Sequence, residues 1–371
     1  MKAAGIIFSS IHNETIDELT RKRTSASIPF GARYRLIDFA LSNFLYADIT
    51  DIGILTQKNY QSLMDHVGSG KDWDLSRKNG GLIIFPPYSS HRSDFLYENR
   101  FEALQSVNGY IEKSNVDYFI LTDSDNVNMV DYNKVLDFHK NHDADLTLIY
   151  KKMNVTEDMT HNLSFKIGEN DRIVGSNLYS KLNEKCNVFL NITIINKSLL
   201  SSLLSDALVV GAKSFTRDVI HNNVKSLKMF GYKYDGIYLR MSSMENYFKG
   251  NMSLLKEDVR NELFGDDQHK IYTKVRDSAP TRYGSNAKVE NCFVADGCII
   301  EGTVINSIIF RGVKIAKGAV VENSILMQDT TVSNKCHLNY VVTDKNVIIK
   351  ENNTLAGCEK VPFYLGKYQV V

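Results

Sequence analysis

A six-residue period near the C-terminus constrains this chain more than any other feature. Ile309, Ile315, Val321 and Met327 recur six apart, and Val313, Ala319, Ile325 and Thr331 follow each of them by four places. Apolar or small side chains at the first and fifth positions of a hexapeptide are the pattern of a β-helix. The pattern begins earlier, at Val294 and Ile300 with Cys298 and Val304 in the fifth position, and resumes later at Val332 and Leu338. One coil of such a solenoid cannot bury its inward side chains alone; it does so by stacking on its neighbours. An ordinary antiparallel β-domain has no reason to hold one phase over several steps. A β-helix is therefore predicted over residues 285–371.

Residues 1–250 follow a different rule. Short apolar runs alternate with amphipathic ones: "KAAGIIFS" then "YRLIDFALSNFLYA", "DIGILTQ" then "YQSLMDHVGSG", "GLIIFPP" then "YENRFEALQSVNGYIEKS", "VDYFILTDSD" then "YNKVLDFHKNHD", and a further strand "DLTLIYKK". Apolar strands without alternation, each followed by a helix, predict an α/β domain whose parallel sheet is covered on both faces. The segment "NMSLLKEDVRNELF" reads as a linking helix within a connector over 251–284. In open α/β sheets, ligands gather at the carboxyl ends of the strands near the topological switch point. The turns after "GIIF" and "YFILTD" are thus where chemistry is expected. Yet the first of these turns reads Ser9, Ser10, Ile11, His12, Asn13, Glu14, with none of the glycines that let backbone amides approach a phosphate.

The bulk properties narrow the partners. Lys and Arg total 44 against 43 Asp and Glu, a net charge of +1, so no global field draws the chain to nucleic acid or an acidic membrane. Five cysteines (Cys186, Cys292, Cys298, Cys336, Cys358) form an odd set without CxxC spacing. They predict neither a disulfide framework nor a zinc site, and fit a reducing cytoplasm. No apolar signal segment and no bilayer-spanning stretch is expected.

Specific segments carry a family resemblance. "IPFGARYRLIDFALSNF", "DIGILTQ", "LTDSDNVNMVDY", "FTRDVI", "MENYFKGNMSLL" and "GCIIEGTVINSIIFRGVKIAKGAVVENSILM" are similar to bacterial ADP-glucose pyrophosphorylase, glucose-1-phosphate adenylyltransferase. The resemblance covers nearly the whole chain. It implies a Rossmann-like nucleotidyltransferase domain followed by a left-handed parallel β-helix of hexapeptide repeats. Active members join ATP and glucose 1-phosphate into ADP-glucose and pyrophosphate, with magnesium, for glycogen synthesis, and are tetramers tuned by sugar-phosphate effectors or AMP.

Position by position, the resemblance also shows what this chain has given up. The family's GGxGxRL loop is "SSIHNETIDEL" here, so Ser9 and Ser10 stand where glycines would. In "KRTSASIPFGA", Lys22 and Arg23 persist, but the second lysine of the family's run is Ser25, which supplies no charge for a triphosphate. The GTADA-like segment is "ENRFEAL", with Asn99 and Arg100 replacing glycine and threonine. The adenine-contacting stretch, "IIFPPYSS", has no glutamine, and the F-x-E-K-P lysine has only Lys181 as a weak counterpart. Of the two magnesium carboxylates, one is kept as Asp125; the other position, anchored by the following "MENYFKGNMSLL", is Arg240. Hard oxygen ligands are what magnesium requires, and Arg240 reverses the charge.

These joint losses resemble the regulatory-type second subunit of Gram-positive bacteria. The resemblance then implies a regulatory or stabilising subunit that needs no cofactor of its own, the magnesium belonging to a homologous catalytic partner. It further implies a hetero-tetramer with that partner, self-association alone, and a sugar-phosphate or nucleotide effector. An active but divergent adenylyltransferase and a ligand-free scaffold stay open as alternatives.

Individual side chains have simpler readings beside these. Asp125 is either a metal-ligand remnant or a helix N-cap, and Asp123 reads as a loop residue. His337 reads as an exposed solenoid-turn residue rather than an acyl-transfer base. His139 and His142 read as a solvated helix face rather than a metal pair, and Cys186 has no catalytic partner in sequence. The cluster Arg21, Lys22, Arg23, Arg33 and Arg35 is different, because grouped lysine and arginine are good phosphate ligands. Lys22, Arg23, Arg33 and Arg35 are the expected effector site; the alternative is ion pairing with Asp17, Glu18 or Asp38.

Overall fold

The computed structural model describes residues 2–9, 16–78, 80–87, 97 and 99–371. Its contacts divide into two compact units. One comprises Met1–Asn13, Ala40–Ser124 and Met129–Gly236; the other comprises Glu14–Phe39, Asp125–Asn128 and Ile237–Val371.

The first unit is built on a nine-stranded mixed sheet. Strand Ala3–Phe8 lies between Asp51–Leu55 and Tyr118–Asp123, parallel to both, and Gly81–Phe85 extends the parallel part beyond Asp51–Leu55. The chain therefore runs outward from Ala3–Phe8 on one side and returns on the other. This puts the topological switch point between Ala3–Phe8 and Tyr118–Asp123. The purely parallel sheet expected from sequence holds only in this half. Lys185–Asn196 is antiparallel to Tyr118–Asp123, to Leu146–Asn154 and to Ser164–Ile167, and Ile173–Asn177 closes the edge. The edge strands Ser164–Ile167 and Ile173–Asn177 carry exposed residues, such as Lys166 and Val174, so they lack the continuous apolar run that marks the buried ones.

Close packing dictates the residue choice in the first strand. A Cβ on Gly5 would stand 2.6 Å from the Phe44 ring, so only glycine lets helix Leu36–Tyr46 seat its aromatic against the sheet. Helix Tyr132–Asn141 begins with Asp131, whose carboxylate accepts from the amides of Asn133 and Lys134 at 3.0 and 3.4 Å. Asp125 therefore does not cap this helix.

In the second unit, three five-stranded parallel sheets form the β-helix. Ile300, Ile315, Val332 and Ile349 stack on one face, and Val304, Val321, Leu338 and Leu355 on the next. The strict six-residue phase slips on the third face. There Ile309 pairs with Leu326, where a constant period would place Met327. The corner before it is why: Asn291, Asn306 and Asn323 each turn with positive φ (48°, 47° and 46°), and one residue fewer reaches the next face. Their side chains form a ladder, Asn291 Nδ2 donating to Asn306 Oδ1 at 2.8 Å and Asn323 Nδ2 to Asn339 Oδ1 at 2.9 Å. Asparagine tolerates the left-handed region better than other side-chain-bearing residues.

The same unit contains two short hairpin-like pairings, Pro29–Phe30 with Tyr34–Arg35 and Asn126–Asn128 with Tyr238–Arg240. The expected linking helix is two helices, Met244–Ser253 and Glu257–Phe264. Tyr247 is fully buried and donates from Oη to the Pro29 carbonyl at 2.8 Å, tying the first of them to the Glu14–Phe39 segment.

Candidate functional site

In the first unit, the strand ends at the switch point are Phe8 and Asp123, which are register partners. Asp123 is the buried last residue of its strand, not a loop residue. A charged group can be buried there because Arg100 meets it: Nη2 lies 2.5 Å from both Asp123 carboxylate oxygens, with side-chain exposures of 6% and 4%. The same guanidinium carbon sits 4.9 Å from the Phe8 ring centroid. Arg100 follows the N-cap of its helix. Asn99 Oδ1 accepts from the Glu102 amide at 3.0 Å, and Asn99 Nδ2 donates to Glu102 Oε1 at 2.7 Å. Asn99 thus has a structural task at the start of helix Arg100–Ser106. Ser9 is buried, and its amide donates to the Leu55 carbonyl at 3.0 Å. Ser10, the rest of that turn through residue 15, and Tyr88–Ser90 of the adenine-contacting stretch lie outside the described residues.

In the second unit, the strand pairing sets Arg240 opposite Asn126, and the Met241 amide donates to the Asp125 carbonyl at 2.8 Å. Arg240 Nε comes to 3.7 Å from Asp125 Oδ2, an ion-pair distance rather than a hydrogen bond, with exposures of 4% and 12%. Asn126 Nδ2 donates to Asp125 Oδ1 at 3.1 Å. Magnesium, which the fold family employs, needs several oxygen ligands around open coordination positions. The donors here do not fit it. Arginines lie against both Asp123 and Asp125, and among the described residues no three His, Cys, Asp or Glu side chains converge to hold a metal.

The four cations expected to bind an effector have different partners. Lys22 Nζ lies 5.9 Å over the Tyr368 ring, and exposed Arg33 lies 5.6 Å over Tyr34. Arg23 is buried and grips Asp344 through Nη2, at 2.6 Å and 2.8 Å to its two oxygens. This partner is none of the acids near it in sequence; Asp38 instead accepts from the Arg35 amide at 2.9 Å. Tyr364 Oη reaches Asp344 Oδ2 at 3.3 Å and the Glu18 carbonyl at 2.9 Å. Arg23 Nη1 is buried with no hydrogen-bond partner among the described residues.

Next to this pair stands Lys345, which the sequence reading missed. Burial brings its amine down to about 6, helped by the positive charges of Arg35, Arg23 and Arg276 and opposed by Asp344. Arg23 and Arg35 thus act on Lys345 together with Arg276. The only local signal is the dipeptide Asp344–Lys345 at a solenoid corner, where hexapeptide repeats carry no such charge requirement.

The other candidates resolve simply. His139 is buried, not on a solvated face: Nδ1 meets Thr147 Oγ1 at 2.8 Å and Nε2 meets Asn196 Oδ1 at 3.2 Å, and burial lowers its pKa. His142 Nδ1 pairs with the Phe138 carbonyl at 2.9 Å, and His337 is exposed. Burial pushes the Cys186 thiol up, away from the reactive thiolate. Lys181 is exposed, with its amide on Glu184 at 3.1 Å. An open recess of about 1180 Å³, bordered by Lys2, Asp51 and Lys113, lies at the amino ends of the strands, opposite the switch-point crevice.

Known proteins agree with this architecture. The nucleotidyl transferase family profile matches residues 14–174, and the GlmU-like C-terminal hexapeptide profile matches residues 277–360. Glycogen biosynthesis protein GlgD of Bacillus subtilis is 32% identical over 98% of this chain and 95% of its own length. The Geobacillus stearothermophilus protein of the same name is 35% identical over 86% of this chain and 83% of its own length. A glucose-1-phosphate adenylyltransferase of Clostridium botulinum is 32% identical over 83% and 80%. With a nucleotidyltransferase sheet, a hexapeptide β-helix and full-length similarity to GlgD, the chain belongs to the glucose-1-phosphate adenylyltransferase/GlgD family of nucleotidyltransferases.

Proposed function

We propose that this chain is a regulatory or stabilising subunit of ADP-glucose pyrophosphorylase in glycogen synthesis, with its own active site degraded. The observation that carries the reading is Arg240 against Asp125, a buried guanidinium 3.7 Å from the retained carboxylate. A cation fixed there opposes a divalent ion in the place where the family's second metal carboxylate would stand. The absence of glycines at Ser9 and Ser10 and of a lysine at Ser25 supports the same reading.

The chain's contribution to an assembly would then be allosteric. Arg23, Arg35, Arg276 and Lys345 form a cationic group suited to a sugar phosphate or nucleotide effector. An anion bound beside this group would favour the protonated form of Lys345. Partnered with a homologous catalytic subunit, which would hold the magnesium, this chain would form a hetero-tetramer; alone it would self-associate.

The test is pyrophosphate release from ATP and glucose 1-phosphate by the purified chain alone, then mixed with a catalytic homologue. Each missing phosphate-binding group typically costs about 10²–10³-fold, so the chain alone should stay near background while altering the partner's rate or effector response. Turnover near the enzyme median of about 10 per second by the chain alone would overturn the proposal. A strict monomer in light scattering, both alone and mixed, would overturn the assembly.

A further inference from the structure

The crevice at the switch point, between Ala3–Phe8 and Tyr118–Asp123, is where open α/β folds place their ligands. In this chain it contains a side chain of the protein itself. Arg100 lies over the Phe8 ring at 4.9 Å and bonds both oxygens of Asp123 at 2.5 Å, and the two strand ends it spans are register partners. We propose that Arg100 is the resident cation of this crevice: it neutralises Asp123, links the two strand ends, and makes this part of the fold independent of a divalent ion, which it excludes from Asp123. The inference concerns Arg100 and Asp123 alone and does not rest on the regulatory role.

Three observations carry it. The first is charge. Asp123 is a carboxylate at 4% exposure, and such a group is tolerated only with a counter-ion and hydrogen bonds; the guanidinium supplies both. The second is placement. Arg100 opens its helix directly after the Asn99 N-cap, so the backbone that aims it is fixed by local hydrogen bonds. The third is the aromatic face. Phe8 offers π density to a cation, an arrangement that favours a delocalised guanidinium over a hydrated metal ion. A magnesium ion retains several waters in octahedral geometry, whereas both carboxylate oxygens of Asp123 are already bonded by Arg100 beside the Phe8 ring.

The experiment uses the full-length chain with manganese as probe, read by electron paramagnetic resonance of free manganese, and thermal unfolding with and without magnesium. Four variants are compared with the wild type: Arg100→Met, Arg100→Lys, Asp123→Asn and the double Arg100→Met/Asp123→Asn. Wild type should bind no manganese through Asp123, and its melting temperature should not respond to magnesium beyond an ionic-strength control. Arg100→Met should melt lower, acquire manganese binding that wild type lacks and that a further Asp123→Asn change removes, and recover part of its lost stability in magnesium. Arg100→Lys retains a cation and should not gain manganese binding. Asp123→Asn should melt lower without any magnesium response, and the double variant should regain most of what each single variant loses.

Manganese binding by wild type that Asp123→Asn abolishes would overturn the proposal. So would an Arg100→Met protein that folds and gains no manganese binding. Should Arg100→Met fail to fold, the wild-type and Asp123→Asn manganese measurements and the stability of the double variant still decide it: a double variant no more stable than Asp123→Asn alone would show that Arg100 does more than balance that carboxylate, and would refute the assignment.

Discussion

Replacing Lys345 with methionine should stabilise the protein at neutral pH, although it removes a partly buried side chain and adds no contact. The folded-state amine titrates at about 6, against about 10.4 in an unfolded chain. Between those values the unfolded state holds a proton that the folded state lacks. Stability therefore rises with pH across this window, by at most about 1.4 kcal/mol per unit, and the contribution is flat below pH 6, where both states are protonated. At pH 7, roughly 3.4 units below the unfolded value, the neutral folded amine costs at most about 4.6 kcal/mol. Lys345 is partly exposed, and solvent screening reduces that ceiling to roughly a third, about 1–2 kcal/mol. The groups that act on it are Arg35, Arg23 and Arg276, which disfavour its charge, and Asp344, which favours it. Lys345→Met should thus raise the melting temperature at pH 7 by about 2–4 °C and flatten its rise between pH 6.5 and 9, an interval chosen inside the window. Inorganic phosphate should reverse the order, stabilising wild type with proton uptake and leaving the variant unmoved. Calorimetry in buffers of different ionisation enthalpy reads that proton. A variant that melts lower at pH 7 without phosphate, or that keeps the wild-type pH slope, would refute the reasoning.

Further outcomes follow from single contacts. Arg23→Met or Asp344→Asn leaves one buried charge of a bidentate pair and should cost about 3–5 kcal/mol in denaturant unfolding, whereas the double variant should cost much less than the two combined. Gly5→Ala pushes a methyl to 2.6 Å from the Phe44 ring and should cost about 1–3 kcal/mol; a neutral result would mean that Phe44 repacks freely. Asn306→Ala places alanine at a φ of 47° and removes one rung of the asparagine ladder, a loss of about 1–2 kcal/mol by thermal melting. Arg240→Asp restores a carboxylate but no phosphate-binding glycines or lysine, so pyrophosphate release should stay at background in the standard assay.

Elements whose physics is local were legible in the sequence. The solenoid declared itself through inward residues such as Ile315, Val321 and Leu338, because each coil repeats the same burial. The slip from Met327 to Leu326 was not legible, because it depends on how tightly the Asn323 corner turns in three dimensions. The parallel strands could be read from continuous apolar runs, while the half-exposed strands Ser164–Ile167 and Ile173–Asn177 offered no such run. The placement of Arg240 beside Asp125 came from resemblance to a family, not from any pattern in the residues. Asp123 was misread because its counter-ion, Arg100, lies 23 positions away and nothing local announces the pair. Lys345 and Arg276 carried no motif; their role depends on neighbours brought together only by folding.

The bond between Arg23 and Asp344 spans 321 positions of the chain. At a synthesis rate of about 5–20 residues per second, Arg23 waits roughly 15–60 s after leaving the ribosome before Asp344 is made. During that interval the segment Glu14–Phe39 lacks the coils with which it forms a compact unit, and Arg23, buried in the finished protein, is without its carboxylate partner. A nascent chain of this design therefore keeps one of its earliest stretches incomplete until translation has almost ended. Its yield in the cell should depend on chaperones that hold the N-terminal region, and a ribosome stalled before residue 344 should expose Arg23 and its neighbours to protease.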